Sequence, residues 1–96
     1  MPTAAEIKNT LEPVFAQYGV KSAILFGSFA KGTATEKSDV DLLVDSGLRG
    51  LRFVGLTQAV HSAIKMPIDL LDVTHIEKGS RIAREIESTG VTIYEK

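Results

Sequence analysis

Two aspartates separated by one residue, Asp39 and Asp41, begin an apolar run that continues through Val44. Side chains two positions apart on a strand point to the same side, so both carboxylates are expected to project together. Two such charges are unfavourable side by side unless a cation or a proton intervenes. Mg²⁺ prefers oxygen ligands and commonly combines one or two carboxylates with substrate phosphate oxygens. The pair therefore predicts a magnesium site, and two ions there would suit displacement at phosphorus.

A third carboxylate interrupts a later apolar run, where Asp69 stands between Ile68 and Leu70. If the two strands are neighbours in matching register, Asp69 joins Asp39 and Asp41. A slip of one residue would turn it to the opposite face of the sheet. Asp72 is three positions further on and is expected on that opposite face, so it is left out of the predicted site.

A glycine and a serine follow the apolar run that ends at Phe26. Glycine allows a phosphate to approach the backbone closely, and amides at a helix start favour an anion. We therefore expect Gly27 and Ser28 to position the phosphates of a nucleoside triphosphate. Lys31, one turn further on, would supply a positive charge. The stretch is not a P-loop, because the lysine precedes Gly32 instead of following it.

Hydrophobic spacing predicts the elements that hold these residues. A capping box of Thr3 and Glu6 predicts the first helix, which Pro13 is expected to kink or to divide. A second capping box, Thr74 with Glu77, predicts the start of the last helix. A long helix is expected between them, over 53–64, and strands are expected over 23–26, 40–44, 68–73 and 91–94.

The expected fold is α/β: one domain spanning 1–96, with three helices packed on a mixed sheet of about four strands. Only about seven residues join Gly32 to the second strand, whereas a parallel crossover needs about a dozen. The first two strands are therefore predicted to be antiparallel.

Composition excludes several classes of protein and site. The 96 residues contain no cysteine, which excludes disulfides and thiolate sites, and two distant histidines make a histidine metal site unfavourable. A net charge of -1 gives no basic footprint, so strong direct binding to nucleic acid is not expected. No membrane span or signal peptide is predicted, and the expected location is the cytoplasm.

The residues singled out above resemble the polymerase-β-like nucleotidyltransferases, and in particular the minimal nucleotidyltransferases (MNT) of bacteria and archaea. That family carries Gly-Ser, ten intervening residues and then Asp-x-Asp, which Gly27-Ser28 and Asp39-Val40-Asp41 match. Asp69, in Pro-Ile-Asp-Leu-Leu, matches the third family carboxylate. Lys31 departs from the pattern, since the family usually has arginine there, whose planar fork grips phosphate in two places.

The resemblance implies a polymerase-β-like fold and Mg²⁺-dependent transfer of a nucleoside monophosphate to an acceptor hydroxyl. The donor is ATP or another nucleoside triphosphate. Asp39, Asp41 and Asp69 are the implied catalytic residues and metal ligands, and Gly27, Ser28 and Lys31 are the implied nucleotide-binding residues. It also implies a small helical HEPN-type toxin as partner, with this chain as antitoxin, and a homo- or hetero-oligomer.

Two alternatives to a catalytic antitoxin remain open at the level of sequence. The chain can be a binding module that masks its partner stoichiometrically, with the nucleotide site playing no part in neutralisation. It can also be the catalytic subunit of a two-subunit enzyme that modifies a small molecule.

Overall fold

A computed structural model describes residues 2–96 as a four-stranded sheet with helices on both of its faces. The helices and strands, in chain order, are α1 (Ala4–Gln17), β1 (Ser22–Phe26), α2 (Ser28–Lys31), β2 (Val40–Asp45), α3 (Leu51–Ile64), β3 (Ile68–Asp72), α4 (Arg81–Thr89) and β4 (Val91–Glu95). A short 3-10 turn, Val73–His75, follows β3. The expected helices and strands are all present, and α2 is the short helical turn after the glycine.

The sheet is mixed, with the strand order β3-β2-β1-β4. β1 is antiparallel to both β2 and β4, whereas β2 and β3 are parallel. The predicted antiparallel pairing of the first two strands is confirmed, and α3 serves as the crossover between the two parallel ones. The expected α/β class, with helices packed on a mixed four-stranded sheet, is confirmed.

The main core lies on one face of the sheet, beneath α1 and α3. Alternate residues of β2, namely Val40, Leu42 and Val44, are completely buried there. Leu11 and Phe15 of α1 are buried against the same face, and the expected Thr3–Glu6 capping box is present with both of its hydrogen bonds. The other side chains of β2 point to the opposite face, where Asp41 lies.

Pro13 does not divide the first helix, so that part of the prediction is wrong. α1 continues from Ala4 to Gln17 with Pro13 inside it. Both Pro13 and Asn9, whose carbonyl loses its helical partner, are exposed. Water can satisfy that carbonyl, and the apolar face of the helix stays intact.

The predicted start of the last helix is also wrong. Thr74 lies in the 3-10 turn, where its amide and hydroxyl both donate to the Asp72 carboxylate. The N-cap of α4 is instead Ser80, whose hydroxyl accepts the Ala83 amide 3.2 Å away. Thr74 is hydrogen-bonded to Asp72, the last residue of β3, and does not cap a helix. α4 begins several residues later, at Arg81.

None of the helices in residues 2–96 combines the length and the apolar character that a membrane crossing requires.

Candidate active site

Strand pairing gathers the predicted residues at one edge of the sheet, where β1 ends and β2 and β3 begin. Phe26, the last residue of β1, pairs with Asp41. Asp41 in turn pairs with Asp69 on the parallel strand β3. Paired residues share a face of the sheet, so the Asp41 and Asp69 carboxylates are neighbours on adjacent strands. The sequence predicted that Asp69 would join the site only if β2 and β3 paired in this register, and they do.

Gly27 brings the turn after β1 against the Asp41 carboxylate. Its backbone has φ 74° and ψ -151°, a conformation that is essentially restricted to glycine. A Cβ atom built at this position would overlap Oδ2 of Asp41. The glycine is therefore required twice, by the turn and by the carboxylate beside it.

Ser28 begins the helical turn α2 immediately after Gly27. The Lys31 amide donates to the Gly27 carbonyl at 3.1 Å, and the Thr33 amide donates to the Ser28 carbonyl at 3.0 Å. Gly27, the N-cap residue of this turn, has no side chain that could cap it. Amides at an uncapped helical turn favour an anion, which suits a phosphate at Gly27 and Ser28.

The Asp41 carboxyl lies in a field of negative charge. Burial raises its pKa above the ordinary value of 3.8, and the charge of Asp69 raises it further. Glu85 and Asp39 add smaller contributions, and the resulting pKa of Asp41 is about 6. The surroundings therefore oppose the ionisation of Asp41, and a cation placed beside it would relieve that opposition.

Asp39 and Asp69 are both exposed, whereas Asp41 is half-buried. Within the described residues 2–96, no three His, Asp or Glu side chains are gathered closely enough to hold a metal ion by themselves. The aspartates fit Mg²⁺ in another way, because this ion usually takes one or two carboxylates and completes its shell with water and substrate phosphates. The excess of negative charge around Asp41 is the observation that supports this fit.

Lys31 lies at the exposed end of α2. It lines a cleft of about 420 Å³ between α2 and the start of α1, and none of the three aspartates lines that cleft. A larger cleft of about 750 Å³, between α1 and β4, also contains none of the predicted site residues. These two clefts therefore do not mark the predicted site.

Asp72 lies on the core side of the sheet, away from Asp41, as the sequence predicted. It is 3% exposed and accepts hydrogen bonds from Ser46 and Thr74. Burial would raise the pKa of Asp72, but these hydrogen bonds outweigh it and lower the pKa to about 2. Asp72 is therefore a structural clamp between the end of β3 and the loop after β2.

Two residues of α4 belong to the surroundings of the site and were missed by the sequence analysis. Glu85 is close enough to raise the pKa of Asp41, and the Thr89 hydroxyl accepts a hydrogen bond from the Gly27 amide at 3.2 Å. The available signal was their spacing, since both lie on the helix face of Ile82 and Ile86. That face packs towards β1, and this packing is not encoded locally.

Comparison with known proteins shows the family to which the chain belongs. A family model described as "Polymerase beta, Nucleotidyltransferase" matches residues 9–96. The protein adenylyltransferase MntA of Thermococcus cleftensis is 30% identical over 96 residues, which cover 90% of this chain and 95% of the relative. A provisionally named protein adenylyltransferase of Methanocaldococcus jannaschii is 34% identical over 73 residues, covering 74% and 78% of the two chains.

Solved structures share the fold at lower identity. A toxin–antitoxin crystal structure with AMP-PNP superposes with a TM-score of 0.77 at 22% identity, covering 93% of this chain and 73% of that one. The structure of a tri-AMPylated HEPN toxin of Shewanella oneidensis in complex with MNT antitoxin superposes with a TM-score of 0.72 at 17% identity. The match covers 98% of this chain and 74% of that one. From the match to the family model and the sequence relatives, the chain belongs to the polymerase β nucleotidyltransferase family.

Proposed function

We propose that this nucleotidyltransferase moves AMP from ATP, with Mg²⁺, to a hydroxyl group on a partner protein, and that it thereby acts as the antitoxin of a HEPN-type toxin. The observation that carries the proposal is the direct pairing of Asp41 with Asp69 across β2 and β3, with Gly27 packed on the Asp41 carboxylate. The proposed cation site and the proposed phosphate turn would therefore share one edge of the sheet.

Each residue has a role in this proposal. Asp39, Asp41 and Asp69 would hold Mg²⁺, and Asp69 would also accept the proton of the acceptor hydroxyl. The chemistry that Mg²⁺ would supply there is neutralisation of the charge that develops on the phosphate oxygens. Gly27 and Ser28 orient the phosphates, and Lys31 adds a positive charge from the end of α2. The acceptor oxygen forms a bond to the α-phosphorus, the bond to the β-phosphate oxygen breaks, and pyrophosphate leaves.

The partner is proposed from the relatives. The Thermococcus relative is a protein adenylyltransferase. Two of the structures of similar fold are toxin–antitoxin complexes, and one of these contains a HEPN toxin carrying AMP groups. We propose a hetero-oligomer with a small helical toxin, working in the cytoplasm, where ATP is at hand. The exposure of Asp39 and Asp69 suits a protein acceptor, because a protein can reach these side chains and cover them.

The test uses ATP labelled at the α-phosphate, with Mg²⁺ and extract of the source cell. Wild type and Asp45→Asn should both transfer label to a macromolecule, whereas Asp41→Asn should not. Asp45 is a matched control, because it lies on the same face of β2 as Asp41 but at the other end of the strand, paired with Ser22. Label transferred equally by all three proteins would refute the assignment of Asp41.

A stoichiometric mask is the second candidate function. Leu51 is 88% exposed and Val54 is 47% exposed at the start of α3, which leaves apolar surface for a partner to cover. Toxin neutralisation that survives Asp39→Asn/Asp41→Asn would favour masking. Neutralisation lost while the complex still forms would favour catalysis.

A further inference from the structure

The Thr89 hydroxyl joins the end of α4 to the turn that begins at Gly27. Its oxygen accepts the Gly27 amide at 3.2 Å, and its single proton is donated to the Glu85 carbonyl at 2.8 Å. A hydroxyl has one proton to donate, so the second bond fixes the direction in which its lone pairs point. The bond to Gly27 connects residues 62 positions apart.

The peptide held in this way is the one that enters the phosphate turn. Gly27 has φ 74° and ψ -151°, and it packs against the Asp41 carboxylate. Few conformations of this peptide satisfy both constraints, and rotating it would redirect Ser28, the next residue. A hydrogen bond to its amide therefore selects where Ser28 lies.

The end of α4 that carries Thr89 is itself firmly seated on β1. A Cβ atom at Gly90 would lie 2.9 Å from Cγ2 of Ile24 and would overlap the Ile86 carbonyl. The Gly90 amide also donates to that carbonyl at 2.7 Å. Because the helix end is packed this closely on β1, Thr89 is a rigid support for the turn.

We propose that Thr89 is a positioning residue of the nucleotide site, whose hydroxyl holds the Gly27 peptide so that Ser28 meets the triphosphate. This inference rests on the proposed function, because it assigns Thr89 a part in binding Mg²⁺-ATP. Thr89 acts through Gly27 and does not itself touch the nucleotide.

The alternative is that the Thr89 hydroxyl serves only to hydrogen-bond the Glu85 carbonyl within α4. Threonine hydroxyls often donate to the carbonyl four residues earlier, and Thr57 does so to Phe53 at 3.0 Å within α3. Thr57 thus makes the helical half of the interaction without the bond to the phosphate turn. Thr57→Val is the matched control for Thr89→Val.

Two measurements on the full chain test the inference. Amide hydrogen exchange followed by NMR reports the Gly27 bond directly, and calorimetry gives the affinity for Mg²⁺-ATP. In Thr89→Val, Gly27 exchange should accelerate, and the affinity should fall about fivefold, the factor that corresponds to one neutral hydrogen bond. Thr89→Ser should restore both, and Thr57→Val should change neither. If the valine variant does not fold, Thr89→Ala, a better helix former, replaces it.

The outcomes separate this inference from the proposed function. If wild type does not bind Mg²⁺-ATP, the proposed function fails and this inference fails with it. If wild type binds but Thr89→Val binds as tightly as Thr57→Val, only the role of Thr89 is refuted. Loss of affinity in Thr89→Val that Thr89→Ser does not rescue would also refute it, because the hydroxyl would then not be the group responsible.

Discussion

At the scale of single residues, Gly27 combines a backbone conformation that favours glycine with close packing against the Asp41 carboxylate. Gly27→Ala is expected to cost about 1–3 kcal/mol of stability, because alanine is strained at this φ and ψ. Its methyl group would also push the Asp41 carboxylate aside. We therefore expect affinity for Mg²⁺-ATP to fall at least about tenfold, a change that corresponds to about 1.4 kcal/mol.

Gly32→Ala is the control for this prediction. Gly32 also has a positive φ of 76°, but a Cβ there would meet nothing within 4 Å. Urea unfolding should show a loss of stability in both variants, and calorimetry should show weaker nucleotide binding in Gly27→Ala alone. Equal affinities in the two variants would mean that the contact between Gly27 and Asp41 has no functional weight.

The raised pKa of Asp41 predicts how stability depends on pH. Its pKa is about 6 in the folded chain against 3.8 for the ordinary group, so between these values the folded state binds more protons than the unfolded state. Stability from this group is therefore present below pH 3.8 and is lost as pH rises through 6. Asp41→Asn removes this dependence.

Asp41→Asn should accordingly be more stable than wild type at pH 7, by about 1 kcal/mol once solvent screening of a half-buried group is allowed for. The difference should vanish near pH 4. Urea unfolding of both proteins across this range measures it. A variant that is less stable than wild type at pH 7 would show that Asp41 is already satisfied by a favourable partner.

The aspartates of the site could be predicted from sequence because their signals are local. Asp41 and Asp69 are charges within apolar strands, and Gly27-Ser28 follows the end of a strand. Glu85 and Thr89 reach the same place only through the packing of α4 on β1, which no local pattern encodes. Their part in the site therefore had to come from the structure.

At the scale of elements, Asp72 fastens the end of β3 to the loop after β2. One carboxylate oxygen accepts from the amide and hydroxyl of Ser46, and the other accepts from those of Thr74. Asp72→Asn would place an amide NH₂ against one of these donor pairs. We expect a loss of about 2 kcal/mol of stability at pH 7, the free energy that corresponds to a pKa lowered from 3.8 to about 2.

The pH dependence provides the check. Because the folded pKa of Asp72 is depressed, its contribution is full above pH 3.8 and is lost as pH falls through 2. The difference in the free energy of unfolding between wild type and Asp72→Asn should therefore be smaller in acid, and urea unfolding at pH 7 and about pH 2.5 would measure it. Asp45→Asn serves as control, and a difference that stayed constant would indicate a role for Asp72 other than its charge.

The same clamp explains why one helix boundary could not be predicted. The Thr3 cap was identified correctly, and both of its reciprocal hydrogen bonds with Glu6 are formed. Thr74 shows the same spacing to Glu77, but the Asp72 carboxylate takes its amide and hydroxyl. A capping pattern predicts a helix start only when tertiary contacts leave the capping residue free.

At the scale of the whole molecule, the sheet topology brings the residues of the candidate site together. β1 runs antiparallel to β2, so its last residue and the turn after it lie beside the first residues of β2. β3 runs parallel to β2, so Asp69, near its start, reaches the same edge. Short connections allowed the antiparallel pairing to be predicted, whereas the register of β3 depends on the packing of α3 and could not be.

The most direct test of the account is to compare chemistry with binding in Asp69→Asn. Asp69 is exposed, so its replacement should leave the fold intact. We expect transfer of α-labelled AMP to fall at least about a hundredfold, as loss of a group that accepts a proton implies, while Mg²⁺-ATP binds within about threefold of wild type. Transfer at the wild-type rate would contradict the central claim that Asp41 and Asp69, paired across two strands, form one catalytic site.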